Sequence, residues 1–168
     1  MSNVRLQKTR AVHLRTDAFD VWVYRRDHDA VRYLLLHTSQ EKADRWFSGG
    51  RFWQVPTEFT KEGEALHTAA GRCLSAFELA AKSIWAVEHT YTIFNRRYQE
   101  IQLILVLAAE VENVSAVLLS WEHSEHRWCT AVECEALLGF RGLLEGLHWT
   151  RKYVSEASHP LPELRLSS

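Results

Sequence analysis

The sequence predicts an α/β domain in which a mixed β-sheet packs between α-helices, an α/β/α sandwich. Three observations carry this. Phe19, Val21 and Val23 alternate with Asp20, Trp22 and Tyr24, the period of a β-strand. The run IQLILVLAAEV at 101–111 is apolar at consecutive positions, as in a central strand buried on both faces. Between these lies a proline-free stretch at 65–81, rich in alanine and leucine, with Leu66, Ala69, Ala70, Cys73, Phe77 and Ala81 recurring at three or four residues.

Taken in order, the strand around 19–24 pairs with a second at 31–37 across the turn Arg26-Asp27-His28-Asp29. The polar stretch 38–51 ends in Ser48-Gly49-Gly50 and reads as a long, mobile surface loop. A short strand at 52–55 is stopped by Pro56. An amphipathic helix over 65–81 follows. Strands at 84–94 and 99–111 are joined by the turn Asn95-Arg96-Arg97, and short strands are expected at 117–119 and 127–130. Thr130 and Glu133 form a capping-box pattern ahead of Ala136, Leu137 and Leu138, with Gly139 as the stop. A last helix at 141–155 uses Leu143, Leu144, Leu147 and Val154, and the tail SHPLPELRLSS is expected to fray. The layout is an N-terminal extension at 1–16, one domain at 17–156 and a flexible C-terminal tail at 157–168.

Composition narrows the function classes. With 168 residues, 46% hydrophobic and 24% charged, the chain suits one globular domain and excludes a disordered or low-complexity reading. The formal net charge is −1 with basic residues scattered, so nothing marks a nucleic-acid or membrane-surface partner. Three cysteines (Cys73, Cys129, Cys134) without a CxxC pair fit a reducing compartment. There is no apolar leader in MSNVRLQKTR and no 18-residue apolar run, so the reading is cytoplasmic, without a membrane span. The seven tryptophans read as large packing groups.

The segment WQVPTEFTKEGEALHTAAGRCLSAFELAA, 53–81, carries a recognisable pattern. It resembles the box of the Nudix hydrolase family: Gly, five residues, Glu, seven residues, then Arg-Glu-aliphatic-any-Glu-Glu-any-Gly-aliphatic. Glu64, Arg72 and Leu74 match at the family's spacing, and Ala80 stands at the last aliphatic. Glu58 stands at the first glycine, Cys73, Ala76 and Phe77 at the three glutamates, and Leu79 at the second glycine. The flanking Trp53-x-x-Pro56-Thr57 and Glu62-Gly63-Glu64 also look like the family, and EHSEHRW at 122–128 resembles a late segment of nucleotide-pyrophosphohydrolase members. The resemblance covers 17–150 and implies a Nudix-like sandwich.

It also implies Mg²⁺ or Mn²⁺, held by box glutamates that bridge a diphosphate and activate water. On a continuous helix, positions 73, 76 and 77 share one face, which here presents a thiol, a methyl and a phenyl ring, with Phe77 in the volume of a hydrated metal. Glu78 then points about 100° away around the helix. The surviving candidates are Glu64 and Glu122 as catalytic carboxylates, and Glu64, Glu78 and Glu122 as metal ligands. Glu64 with Arg72 also reads as a structural ion pair bracing loop to helix. A zinc cluster of Glu122, His123, Glu125 and His126 is disfavoured because strand alternation splits it, and Cys73 reads as a buried, inert thiol.

Two functional readings follow. The favoured one is a Nudix-fold module binding a nucleotide-like or phosphorylated small molecule, with little or no hydrolase activity. The alternative is an active divalent-metal-dependent pyrophosphohydrolase of nucleoside diphosphate derivatives that uses displaced carboxylates. A structural scaffold is a blander third, and a homodimer is compatible with all three. Ligand choice is expected to rest on the segments 38–51 and 95–97.

Overall fold

The computed structural model describes residues 12–28, 30–112 and 116–167. Strand β1 spans His13–Arg26, so it begins inside the stretch assigned to an N-terminal extension, and β2 spans Val31–Thr38. The two form the expected hairpin, but they are paired only where Tyr24, Arg25 and Arg26 face Tyr33, Arg32 and Val31. Beyond that point they diverge. The β1 edge is taken at Ala18, Phe19 and Asp20 by β4 (Thr57–Phe59), and the β2 edge at Leu36 and His37 by β3 (Trp53–Gln54). The sheet therefore forks, and Val55-Pro56 bridges the fork, with the Pro56 carbonyl accepting from Val21 N–H at 2.8 Å.

The stretch 38–51 is not a mobile loop: it folds into helix α1, Gln40–Trp46. Ser39 caps it by accepting from Lys42 N–H, and Glu41 and Arg45 place opposite charges at the ends that the helix dipole favours. Its buried residues are Ala43 and, unusually, Lys42.

Helix α2 spans Leu66–Ser75, six residues shorter at its end than the periodicity predicts. The cause is a Schellman turn: Leu79 N–H donates to Leu74 O at 3.1 Å, Glu78 N–H donates to Ser75 O at 3.0 Å, and Glu78 adopts φ 58.

Strands β5 (Ala81–Asn95) and β6 (Glu100–Val111) form the long hairpin, and β6 also runs parallel to β1 from His13↔Glu100 to Tyr24↔Glu110. That makes β6 the central strand the apolar run predicted. Residues 117–119 are not a strand; β7 is His123–Cys129 and pairs with β2. Helix α3, Ala131–Leu137, carries the complete Thr130–Glu133 capping box, and α4, Arg141–Thr150, continues into a π-helical turn, Arg151–Ser155. The tail does not fray. Pro162–Leu164 makes a 3₁₀ turn that buries Leu164, and Arg165–Ser167 adds β8 to the lower edge of β5.

The sheet order is β3-β2-β1-β6-β5-β8, with helices on both faces. Alternation sorts the core into two layers. Phe19, Val21, Val23, Leu34 and Leu36 pack with α2 residues Ala69, Ala70, Cys73 and Leu74. Trp22, Tyr24, Tyr33 and Leu35 pack under α3 and α4 against Cys134, Leu143 and Leu147. Each large side chain so buried contributes roughly 1.5–3 kcal/mol. Of the seven tryptophans only Trp22 and Trp53 are core residues, and Trp121 is 45% exposed.

Candidate functional site

The segment that resembles the box holds a brace. The Arg72 guanidinium lies with Nε 3.0 Å from one Glu64 oxygen and Nη2 3.0 Å from the other, and Nη2 also donates to Phe59 O at 2.8 Å. Its Nη1 faces Glu58 at 3.4 Å. Glu64 accepts in addition from Lys61 N–H at 2.9 Å. These bonds hold the Glu64 carboxyl down at about 2, chiefly through Arg72. A bidentate, charge-assisted pair of this kind ties the loop 58–64 to α2 and leaves the Glu64 oxygens engaged.

The Schellman turn revises the expected acidic-face geometry. Positions 73, 76 and 77 do not share one face: Cys73 and Phe77 are buried in the α2-side core, while Ala76 is exposed. Phe77 is packed inward among core residues, rather than turned outward on the helix as expected, and its carbonyl accepts from Leu118 N–H. Glu78 sits at the left-handed turn position, exposed, rather than on a helix flank. The Cys73 thiol is pushed up to about 12 by burial, which leaves it unreactive.

Glu122 stands in the turn before β7 and pairs with Lys42 Nζ at 2.6 Å; the buried lysine of α1 is explained by this contact. The next residue, His123, has Nε2 2.8 Å from the Gln54 amide nitrogen, so it accepts there and carries its proton on Nδ1. Its ring centre is 6.1 Å from that of Phe77. Burial and the Lys42 cation push His123 down to about 4 and keep it neutral.

Beside this pair lies a rim that the sequence did not disclose. Trp46, at the end of α1, meets Trp121 edge-on with ring centres 5.5 Å apart. The Arg45 guanidinium lies 4.8 Å from the Trp121 ring centre, Lys42 Nζ 5.7 Å from that of Trp46, and Arg97, from the β5–β6 turn, 5.6 Å from that of Trp46. Phe52 extends the aromatic surface, touching Phe47 at 4.9 Å and Phe140 at 5.0 Å. Phe47, Phe140 and Trp121 are each at least 40% exposed. The two segments singled out for ligand choice, 38–51 and 95–97, thus meet at one place.

A second unforeseen group lies in the fork. Asp20, 2% exposed, accepts from Tyr91 Oη at 2.5 Å and from Thr57 Oγ1 at 2.7 Å. Desolvation pushes its carboxyl up to about 6, and the two hydroxyls only partly offset this. The Tyr91 ring lies so close over Gly142 of α4 that any side chain there would meet it.

The residues present do not fit a hard divalent cation. Thiol, methyl and phenyl stand at Cys73, Ala76 and Phe77, where the resemblance would place carboxylates. Glu64 and Glu122 are each bound to a cation, and among the described residues no three His, Cys, Asp or Glu side chains are gathered to hold a metal. Glu64, Glu78 and Glu122 are not brought together as one ligand set.

Comparison with solved structures identifies the fold. The chain superposes on a protein of Listeria monocytogenes described as a Nudix hydrolase (TM-score 0.69, 18% identity, 86% of this chain and 98% of that one). It also superposes on a Caenorhabditis elegans Ap4A hydrolase in a binary complex (TM-score 0.65, 18% identity, 87% and 100%). A third match is the Nudix domain of Shewanella oneidensis NrtR complexed with ADP-ribose (TM-score 0.64, 17% identity, 91% and 95%). The chain has the Nudix fold. No family model matches the sequence, and no curated protein matches it.

Proposed function

We propose that this protein is a nucleotide-binding module: it receives a nucleotide-like or other phosphorylated small molecule on the Trp46–Trp121 rim and hydrolyses it little or not at all. The observation that carries this is the seating of Arg97 over Trp46, beside Trp121 and Arg45. Aromatic faces offer stacking to a base, and guanidinium groups offer bidentate contacts to phosphate without a metal intermediary. Two proteins of the same fold, the NrtR domain with ADP-ribose and the Ap4A hydrolase, are associated with nucleotides of this class.

The rival reading, metal-dependent pyrophosphate hydrolysis, needs Glu64, Glu78 and Glu122 to act together. The engagement of Glu64 by Arg72 and of Glu122 by Lys42 argues against it. Isothermal titration of the purified protein with ADP-ribose, diadenosine polyphosphates and nucleoside triphosphates, in chelator and then in Mg²⁺, separates the two. Binding in chelator supports the module; binding that needs Mg²⁺ and is followed by cleavage supports the hydrolase.

A further inference from the structure

Above its bulge at Glu88, strand β5 has β6 on one side and, among the described residues, no strand on the other. β8 covers that edge only at Ile84 and Trp85. The open stretch His89-Thr-Tyr-Thr-Ile-Phe-Asn95 holds no charged side chain and no proline, and is rich in β-branched and aromatic residues. Natural edge strands are normally guarded by lysine, proline or a covering element; this stretch carries neither lysine nor proline, and among the described residues no strand pairs with it on that side. Thr90, Thr92, Ile93 and Phe94 are exposed.

A second feature adjoins it. The register places Leu14 opposite Ile101 and Ile101 opposite Phe94, so the three point to the same face in a row across β1, β6 and β5. Their exposures are 66, 39 and 51%. The row runs out to the open edge and stops there.

We propose that the β5 edge pairs antiparallel with the β5 edge of a second copy, making a two-fold dimer with a sheet continuous through both chains. Three points select a second copy over another extended segment. In a two-fold antiparallel pair the segment opposes itself, and a segment without charge meets no like charge in doing so. A two-fold axis perpendicular to the sheet keeps equivalent faces together, so the two Leu14–Ile101–Phe94 rows lie on one face of the joined sheet, offset by four residues along the paired strands; a foreign strand brings no second row. Finally, pairing centred near Thr92 occupies only the length between the bulge and Asn95, clear of β8. A strand-edge interface of this length is small, so the association is weak and depends on concentration.

Sedimentation equilibrium of the full chain over about 5–500 µM tests this. The wild type is expected to pass from 19.5 kDa toward twice that mass as concentration rises. Thr92→Lys and Thr92→Glu, each at an exposed position, set like charges across the axis and should each weaken dimerisation about tenfold or more. Mixed together, the two variants should pair with each other, which shows that each is folded. A wild type that stays monomeric throughout, or a dimer that neither charge weakens, overturns the proposal.

Discussion

The guanidinium of Arg97, in the turn between β5 and β6, rests 5.6 Å from the ring centre of Trp46 at the end of α1, joining residues 51 positions apart in sequence by a cation–π contact. Neither side chain is core, and Trp121, which packs edge-on to Trp46, is 45% exposed. Such a surface makes sense as one that something else covers.

Removing its stacking face should cost affinity. Trp121→Ala is expected to weaken nucleotide binding by about 1–3 kcal/mol, roughly 5- to 150-fold, without altering thermal stability. Arg97→Ala should weaken it less for nucleosides than for nucleotides. Calorimetric titration of the variants with matched nucleoside and nucleotide ligands checks both.

Asp20 gives stability a pH dependence with a definite sign. Its carboxyl titrates at about 6 when folded, against 3.8 as the ordinary value. A raised acid pKa means the folded state prefers the protonated form, so this contribution is fully present below pH 3.8 and is lost as pH rises through 6. The loss is of order 3 kcal/mol at most. Urea unfolding of the wild type and Asp20→Asn between pH 4 and pH 8 should show the wild type losing stability relative to the variant over this window; parallel curves would contradict the assignment.

His123 acts in the opposite direction. Burial and Lys42 hold it at about 4, below the usual 6.5, so its contribution is present above pH 6.5 and is lost as pH falls toward 4. In His123→Gln the acid limb of the unfolding profile should flatten, while the limb due to Asp20 remains.

Glu78 occupies a left-handed position that ordinarily belongs to glycine. Glu78→Gly should therefore raise stability by about 1 kcal/mol, the strain relieved exceeding the entropy that glycine adds to the unfolded chain. Chemical denaturation reads this directly. A loss of stability would mean that the Glu78 carboxylate has a structural partner.

Much of the fold was legible because it is written in local periodicity: the 19–37 hairpin, the doubly buried β6, and the Thr130–Glu133 capping box. What was missed depends on distant partners. Helix α1 has no apolar stripe to betray it, since one of its two buried residues is Lys42, whose burial depends on Glu122 eighty residues away. The end of α2 was missed because a glutamate, not a glycine, adopts the turning conformation. β8 is three residues whose strand character comes from the β5 edge. In the site, the pairing of Glu64 with Arg72 could be anticipated from box spacing. The Asp20–Tyr91 bond and the Trp46–Trp121 contact could not, because the fork and α1 bring those residues together only in three dimensions.

The most direct test of the account is a single experiment on the wild-type chain: titration with ADP-ribose and diadenosine polyphosphates in chelator, with the same mixtures analysed for phosphate-bond cleavage after Mg²⁺ or Mn²⁺ is added. The predicted result is saturable binding without metal, weakened by Trp121→Ala, and no product. Cleavage that requires the metal and disappears in Glu122→Gln would contradict it and make this chain a hydrolase with a rebuilt metal site.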